Sequence, residues 1–210
     1  MTLSAIPLTL LCLGDSYTIG EAVLPEERFS FQTVELLKKQ EIFFAEPEII
    51  AQTGWTTDEL ASAIAASDLQ RTFDFVTLLI GVNNQYRQRA IANYKEEFLS
   101  LLQTAIAFAD NKKERVAVIS IPDWGATPFV AQDTHKRSRE AIANEIDEFN
   151  AAQESICKEA GIHFINITPT SRNAKEDRAL IAEDGLHPSG KMYGEWAEKV
   201  AERVVQVFVK

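Results

Sequence analysis

Three residue types in this chain, at suitable positions, could together carry out covalent chemistry. Asp184-Gly185-Leu186-His187 sets a carboxylate three residues before an imidazole. In a helical or turn-like loop both side chains lie on one face. The carboxylate can then accept from one ring N–H and leave the other nitrogen free as a base. A candidate hydroxyl for that base is Ser16, which follows Gly14-Asp15 where the apolar run Leu8–Leu13 stops. Gly14 permits a tight backbone turn that exposes the serine. Two further positions carry hydrogen-bond donors. Gly54 in Ala51-Gln52-Thr53-Gly54-Trp55 has an unhindered N–H that could point at a reacting oxygen, and Asn83 in Gly81-Val82-Asn83-Asn84 has an amide that could donate to an oxyanion. Taken singly, each has a plainer reading. Ser16 suits a helix cap, Gly54 a turn, Asn83 a loop residue bonding its own backbone, and Asp184 with His187 a surface pair.

The elements that must position these groups alternate between two periods. Leu8–Leu13, Pro47–Ala51, Phe73–Ile80, Val116–Ile121 and Ile162–Ile167 read as strands. Phe73–Ile80 is nearly continuous in apolar residues, as expected of a central parallel strand covered on both faces. Phe29–Lys39, Asp58–Ala65, Tyr94–Ala109, Glu140–Ala160 and Lys191–Phe208 read as helices, with Gly161 as a C-terminal cap. Such alternation predicts an α/β fold, a three-layer α/β/α sandwich over a five-stranded parallel sheet in the flavodoxin-like order 2-1-3-4-5. Ligands on such sheets bind beyond the carboxyl ends of the strands, which is where Ser16, Gly54 and Asn83 fall. Two long connections, Pro122 to about Arg137 and Thr168–Pro188, are expected to be functional or mobile. The second holds Asp184 and His187.

Composition narrows the function classes. The 210 residues are expected to form a single domain over 1–210, with no repeat or low-complexity linker. Lys and Arg total 21 against 31 Asp and Glu, and a net charge of -10 disfavours nucleic acid and anionic membrane surfaces as partners. No apolar run reaches the length of a membrane span. The stretch Leu8–Leu13 has no preceding Lys or Arg and no small-residue cleavage site, so it reads as a buried strand, and a cytoplasmic protein is expected. Cys12 and Cys157 read as buried free thiols, and no pair has zinc-ligand spacing. His163 is expected at a strand edge or packed, and His135 in solvent.

Read together, the four blocks occur in one order at equivalent positions. The chain resembles the SGNH hydrolases, or GDSL-type esterases, through Gly14-Asp15-Ser16, Gly54, Gly81-Val82-Asn83-Asn84 and Asp184-Gly185-Leu186-His187. The resemblance runs from Gly14 to His187. Two positions depart from the usual pattern: Tyr17 stands where many members carry Leu, and Asn84 where many carry Asp. The resemblance implies a serine esterase in which Ser16 attacks a carbonyl carbon, His187 takes its proton and Asp184 orients His187. It also implies an oxyanion hole made by the Ser16 and Gly54 N–H groups and the Asn83 side chain, and no metal or organic cofactor.

The substrate is expected to be a small-molecule ester: a short-chain acyl ester, an acetylated carbohydrate, a lysophospholipid or a thioester. Aromatic residues after the strand ends are candidate pocket walls, namely Trp55, Tyr86 and Trp124. Arg87 and Arg89 read either as a solvated face or as a clamp for an anionic group, and Lys136-Arg137-Ser138-Arg139 as solvated surface. Two other functions stay open at this level: an acyltransferase using the same serine, and a flavodoxin-like binding module without chemistry. The second is weakened because Gly20 is followed by Glu21-Ala22, which does not fit a phosphate loop.

Overall fold

The structure is a computed structural model, and it describes residues 6–209. Five parallel strands form one sheet in the order β2-β1-β3-β4-β5, as the sequence pattern predicts. They are β1 (Leu10–Gly14), β2 (Glu48–Ala51), β3 (Phe75–Leu79), β4 (Val116–Ile119) and β5 (His163–Ile165). Every residue of β1, β3 and β4 is buried, which explains why these three read as unbroken apolar runs. β5 is an edge, and His163 on it is exposed.

Among the described residues eight α-helices accompany the sheet: α1 (Ser16–Ile19), α2 (Phe29–Lys38), α3 (Thr57–Ala66), α4 (Val82–Tyr86), α5 (Ile91–Phe108), α6 (Arg139–Ala160), α7 (Thr168–Arg172) and α8 (Gly190–Phe208). Right-handed crossovers put α2 on one face of the sheet, where it packs on α8. The helices α3, α5 and α6 cover the other face, with α5 packed between α3 and α6. α8 buries Met192, Tyr193, Trp196, Ala197, Val200, Ala201 and Val204, a stripe at helical spacing. Ser189 caps its start through the Met192 N–H, and Ser138 caps α6 through the Ala141 N–H. Gly161 ends α6 in the left-handed conformation, at φ 73°.

The long helices and strands match the expected segments, while α1, α4 and α7 sit in stretches read as loops. Each has five residues or fewer and follows the carboxyl end of a strand. Cys12 and Cys157 are buried free thiols, both pushed up to about 12 by burial. No helix among the described residues is long and apolar enough to cross a membrane.

Candidate active site

β1 and α1 meet at a bend that leaves no room for a side chain at position 14. A Cβ there would collide with the Leu79 carbonyl oxygen on β3 and with the Thr18 hydroxyl. Asp15 is the N-cap of α1. It is fully buried, and its Oδ1 accepts the Tyr17 N–H at 3.0 Å. Burial pushes the Asp15 carboxyl up to about 7 against the opposing pull of that hydrogen bond. Ser16 then opens α1, 5% exposed.

The loop before α8 carries the imidazole. Asp184 Oδ1 accepts the Leu186 and His187 N–H groups at 2.9 and 3.0 Å, which folds the loop into a tight turn. That turn brings Asp184 Oδ2 to 2.5 Å from His187 Nδ1. Partial burial works to raise the Asp184 pKa, but the ring and the two amides outweigh it, so the carboxyl is held below its ordinary value. His187 is itself buried and packs against the Tyr17 ring, centroids 5.2 Å apart. An imidazole held by an ionised carboxylate at Nδ1 keeps Nε2 available to take a proton.

Ser16 and His187, 171 positions apart in the chain, line one cavity of about 110 Å³ with Asn83, Tyr86 and Trp124. The remaining wall is Tyr17, Val82, Phe129 and Leu186. No direct hydrogen bond joins Ser16 to His187 among the described residues. Catalytic hydrogen bonds are often loose without substrate and tighten on binding.

The donors lie on the turn between β2 and α3 and on α4. Gly54 adopts φ +85°, a conformation that favours glycine. Neither the Ser16 nor the Gly54 amide N–H makes a hydrogen bond among the described residues, so both remain free to donate. Asn83 Nδ2 donates to the Trp55 carbonyl at 3.0 Å and lies 3.5 Å from Asp15 Oδ2. Its neighbour Asn84 accepts the Thr57 N–H at 3.1 Å and donates to the Thr57 hydroxyl at 2.7 Å. Arg87 Nη2 donates to the Gly54 carbonyl at 2.6 Å. α4 and its C-cap Arg87 therefore tie the turn at Gly54, Trp55 and Thr57.

Not every expected residue reaches the cavity. Gly54 and Trp55 are absent from its lining. The Trp55 ring packs on the core, and it is the Trp55 carbonyl that meets Asn83. Arg87 and Arg89 pair with Glu59 and Asp58 in the first turn of α3; Arg87 is exposed, as the solvated reading expects, and both act as bracing groups rather than an anion clamp. Reading the 136–139 cluster as solvated surface fails at two residues. Arg137 has a side chain only 7% exposed, and Arg139 donates to the Gly125 and Thr127 carbonyls. His135 is exposed as expected. Among the described residues no group of His, Cys, Asp and Glu is arranged to hold a metal ion.

A doubly wound α/β sandwich with a serine, an asparagine and an aspartate-held histidine at the carboxyl ends of its strands defines a hydrolase of the SGNH type. The chain belongs to the GDSL-like lipase/acylhydrolase family, whose sequence profile matches residues 12–194. Among solved structures it is similar to a lipase/acylhydrolase from Enterococcus faecalis (17% identity, 95% of this chain and 96% of that one, TM-score 0.73). It is also similar to a carbohydrate acetylesterase from Sinorhizobium meliloti (16%, 96% and 100%, 0.65) and an acetylxylan esterase from Geobacillus stearothermophilus (18%, 95% and 93%, 0.66). At these identities the likeness is one of fold. No curated protein matches the chain.

Proposed function

We propose that the protein is a serine esterase that removes a short acyl group from a small carboxylic ester through an acyl-serine intermediate. The observation that carries this reading is the shared cavity: Ser16, Asn83 and the Asp184-held His187 all line it. Ser16 Oγ attacks the ester carbonyl carbon while His187 Nε2 takes the hydroxyl proton. Asp184 fixes the tautomer and stabilises the imidazolium that forms. Negative charge develops on the carbonyl oxygen, where the Ser16 and Gly54 N–H groups and Asn83 Nδ2 supply donors. The tetrahedral intermediate collapses, and His187 returns its proton to the departing alkoxide. Water, deprotonated by His187, then attacks the acyl-serine and releases the acid.

Cavity size supports a short acyl group. A cavity near 150 Å³ holds one benzene molecule, and ligand sites for larger molecules run to roughly 300–1,000 Å³. The volume here is about 110 Å³, and Tyr86, Trp124, Phe129 and Leu186 close its apolar side. Acetyl to butyryl groups fit that space. The acetylesterases among the similar folds are compatible with this reading.

A fluorophosphonate probe tests the chemistry. It should label wild type and fail to label Ser16→Ala, and p-nitrophenyl acetate and butyrate should be hydrolysed far better than longer esters. Labelling that survives in Ser16→Ala, or hydrolysis unaffected by His187→Ala, would remove the assignment.

A further inference from the structure

Behind the aromatic side of the cavity lies a polar network, buried except at Glu145, that the chemistry above does not use. Arg137 reaches it from the segment just before α6. Its guanidinium engages Asp133 through both Nε (3.0 Å) and Nη2 (3.1 Å), and Glu145 of α6 through Nη1 at 3.0 Å. The same group lies over two cavity-lining rings, 5.1 Å from the Trp124 centroid and 5.7 Å from that of Tyr86. Nη1 and Nη2 also approach the Gln85 and Tyr86 carbonyls at 3.4 Å. Gln85 completes the circuit. Its Nε2 donates to Glu145 at 2.5 Å, and its Oε1 accepts the Trp124 indole N–H at 2.8 Å. Tyr86, Trp124 and Phe129 pack mutually edge-on or tilted, with centroids 5.3 to 6.3 Å apart.

We infer that Arg137, acting with Gln85 and Glu145, sets the acyl-length specificity of the site by locking Trp124 and Tyr86 in place. This rests on the esterase reading given above. Both rings that Arg137 covers face the cavity, and the indole N–H has its partner in Gln85, so neither ring can turn without breaking a buried hydrogen bond or leaving the cation uncovered. A longer acyl chain needs that movement. Arg137 touches no reacting atom and is a positioning residue. A lysine could keep the charge but not the two-pronged, stacked geometry.

The test measures kcat/KM for p-nitrophenyl acetate, butyrate, hexanoate and octanoate in wild type, Arg137→Met, Arg137→Lys and Gln85→Met, each first shown to be folded by thermal melting. Gln85→Met frees the indole without removing the cation, so it keeps the inference testable if Arg137→Met does not fold. Admitting or refusing one methylene typically changes kcat/KM by about tenfold or more. The hexanoate-to-acetate ratio should therefore rise by about tenfold in Arg137→Met and Gln85→Met. It should also rise in Arg137→Lys, since charge alone does not restore the lock. A purely structural role would lower all four rates together and leave the ratio where it was, and that result in the folded variants overturns the inference. Butyrate and octanoate binding, read as a shift in melting temperature, supplies a readout free of turnover. A wild type that hydrolyses no ester, paired with octanoate binding gained only in the variants, would defeat the esterase reading and leave the lock intact.

Discussion

Asp15 directly precedes Ser16, whereas Asp133 pairs with Arg137 behind the Trp124 and Tyr86 rings; both are buried, yet their surroundings shift their carboxyls in opposite directions. Asp15, beside Ser16, has only N–H donors for partners among the described residues, and burial pushes its carboxyl up to about 7. Asp133, behind the aromatic wall, meets Arg137 through two hydrogen bonds, and these hold its carboxyl well below the usual carboxylate range. Around Ser16, burial therefore disfavours the charged form of the neighbouring carboxyl. The wall is built around an ion pair. Shape at the turn comes from backbone constraints, namely the crowding at Gly14, the left-handed Gly54 and the ties from α4. Shape at the wall comes from one guanidinium with many partners.

The largest effect should come from removing that guanidinium. Arg137→Met leaves Asp133 buried without its cation, which costs about 3–5 kcal/mol in comparable pairs. Urea or thermal melts should show this loss, little altered by salt because the pair is shielded from solvent. Asp133→Asn combined with Arg137→Met should recover part of it. Full stability in the single variant would mean the wall does not depend on its ion pair. At the turn the comparable substitution is Asn83→Ala. Losing one oxyanion donor typically costs about 10²–10³ in kcat. KM should change little, and a KM effect without a kcat effect would make Asn83 a ground-state contact.

The same contrast shows what can be read from sequence. Fully buried strands leave apolar runs, and long amphipathic helices leave a 3.6-residue period, so the sheet order and the major helices were legible. Four- and five-residue helices such as α1 and α4 are too short to show any period. At the site, Ser16, Asn83 and His187 were legible because strand ends and short motifs fix their positions. Phe129 and Leu186 were not, being apolar residues in irregular segments. For Trp55, adjacency to a turn does not say whether ring or carbonyl is turned toward the site, and it is the carbonyl that meets Asn83. Arg137 was hidden because charged residues are rarely buried unless paired. Asp133, four residues before it, was the available hint.

Next in size is a pH effect whose sign differs between the two aspartates. For Asp15 the folded state keeps its proton up to about pH 7, whereas the unfolded chain releases it near pH 4. Between those values the unfolded state holds fewer protons, so stability falls as pH rises. That contribution is about 4 kcal/mol for a shift of this size. Asp15→Asn should flatten the decline between pH 4 and 7, checked by urea midpoints across that window. Asp133 behaves in the reverse sense. Its folded value is depressed, so its contribution is present above about pH 4 and lost as pH falls further toward its folded value. An Asp15→Asn profile parallel to wild type would show that the nucleophile turn tolerates charge.

The smallest effect should follow loss of the charges that brace the turn from outside. Arg87 and Glu59 have side chains 42% and 40% exposed, and exposed pairs are worth about 0–1 kcal/mol. Arg87→Ala should therefore scarcely move the melting temperature. It also removes the hydrogen bond to the Gly54 carbonyl, while Asn83 and Asn84 continue to hold Trp55 and Thr57. A kcat loss of only a few-fold is expected, well short of that from Asn83→Ala, with KM unchanged. High salt should weaken the Arg87–Glu59 pair in wild type and narrow the gap between the two proteins. If Arg87→Ala instead matched Asn83→Ala in kcat, the turn would depend on one exposed guanidinium as strongly as the wall depends on its buried one, and the division between backbone-held and charge-held sides would fail.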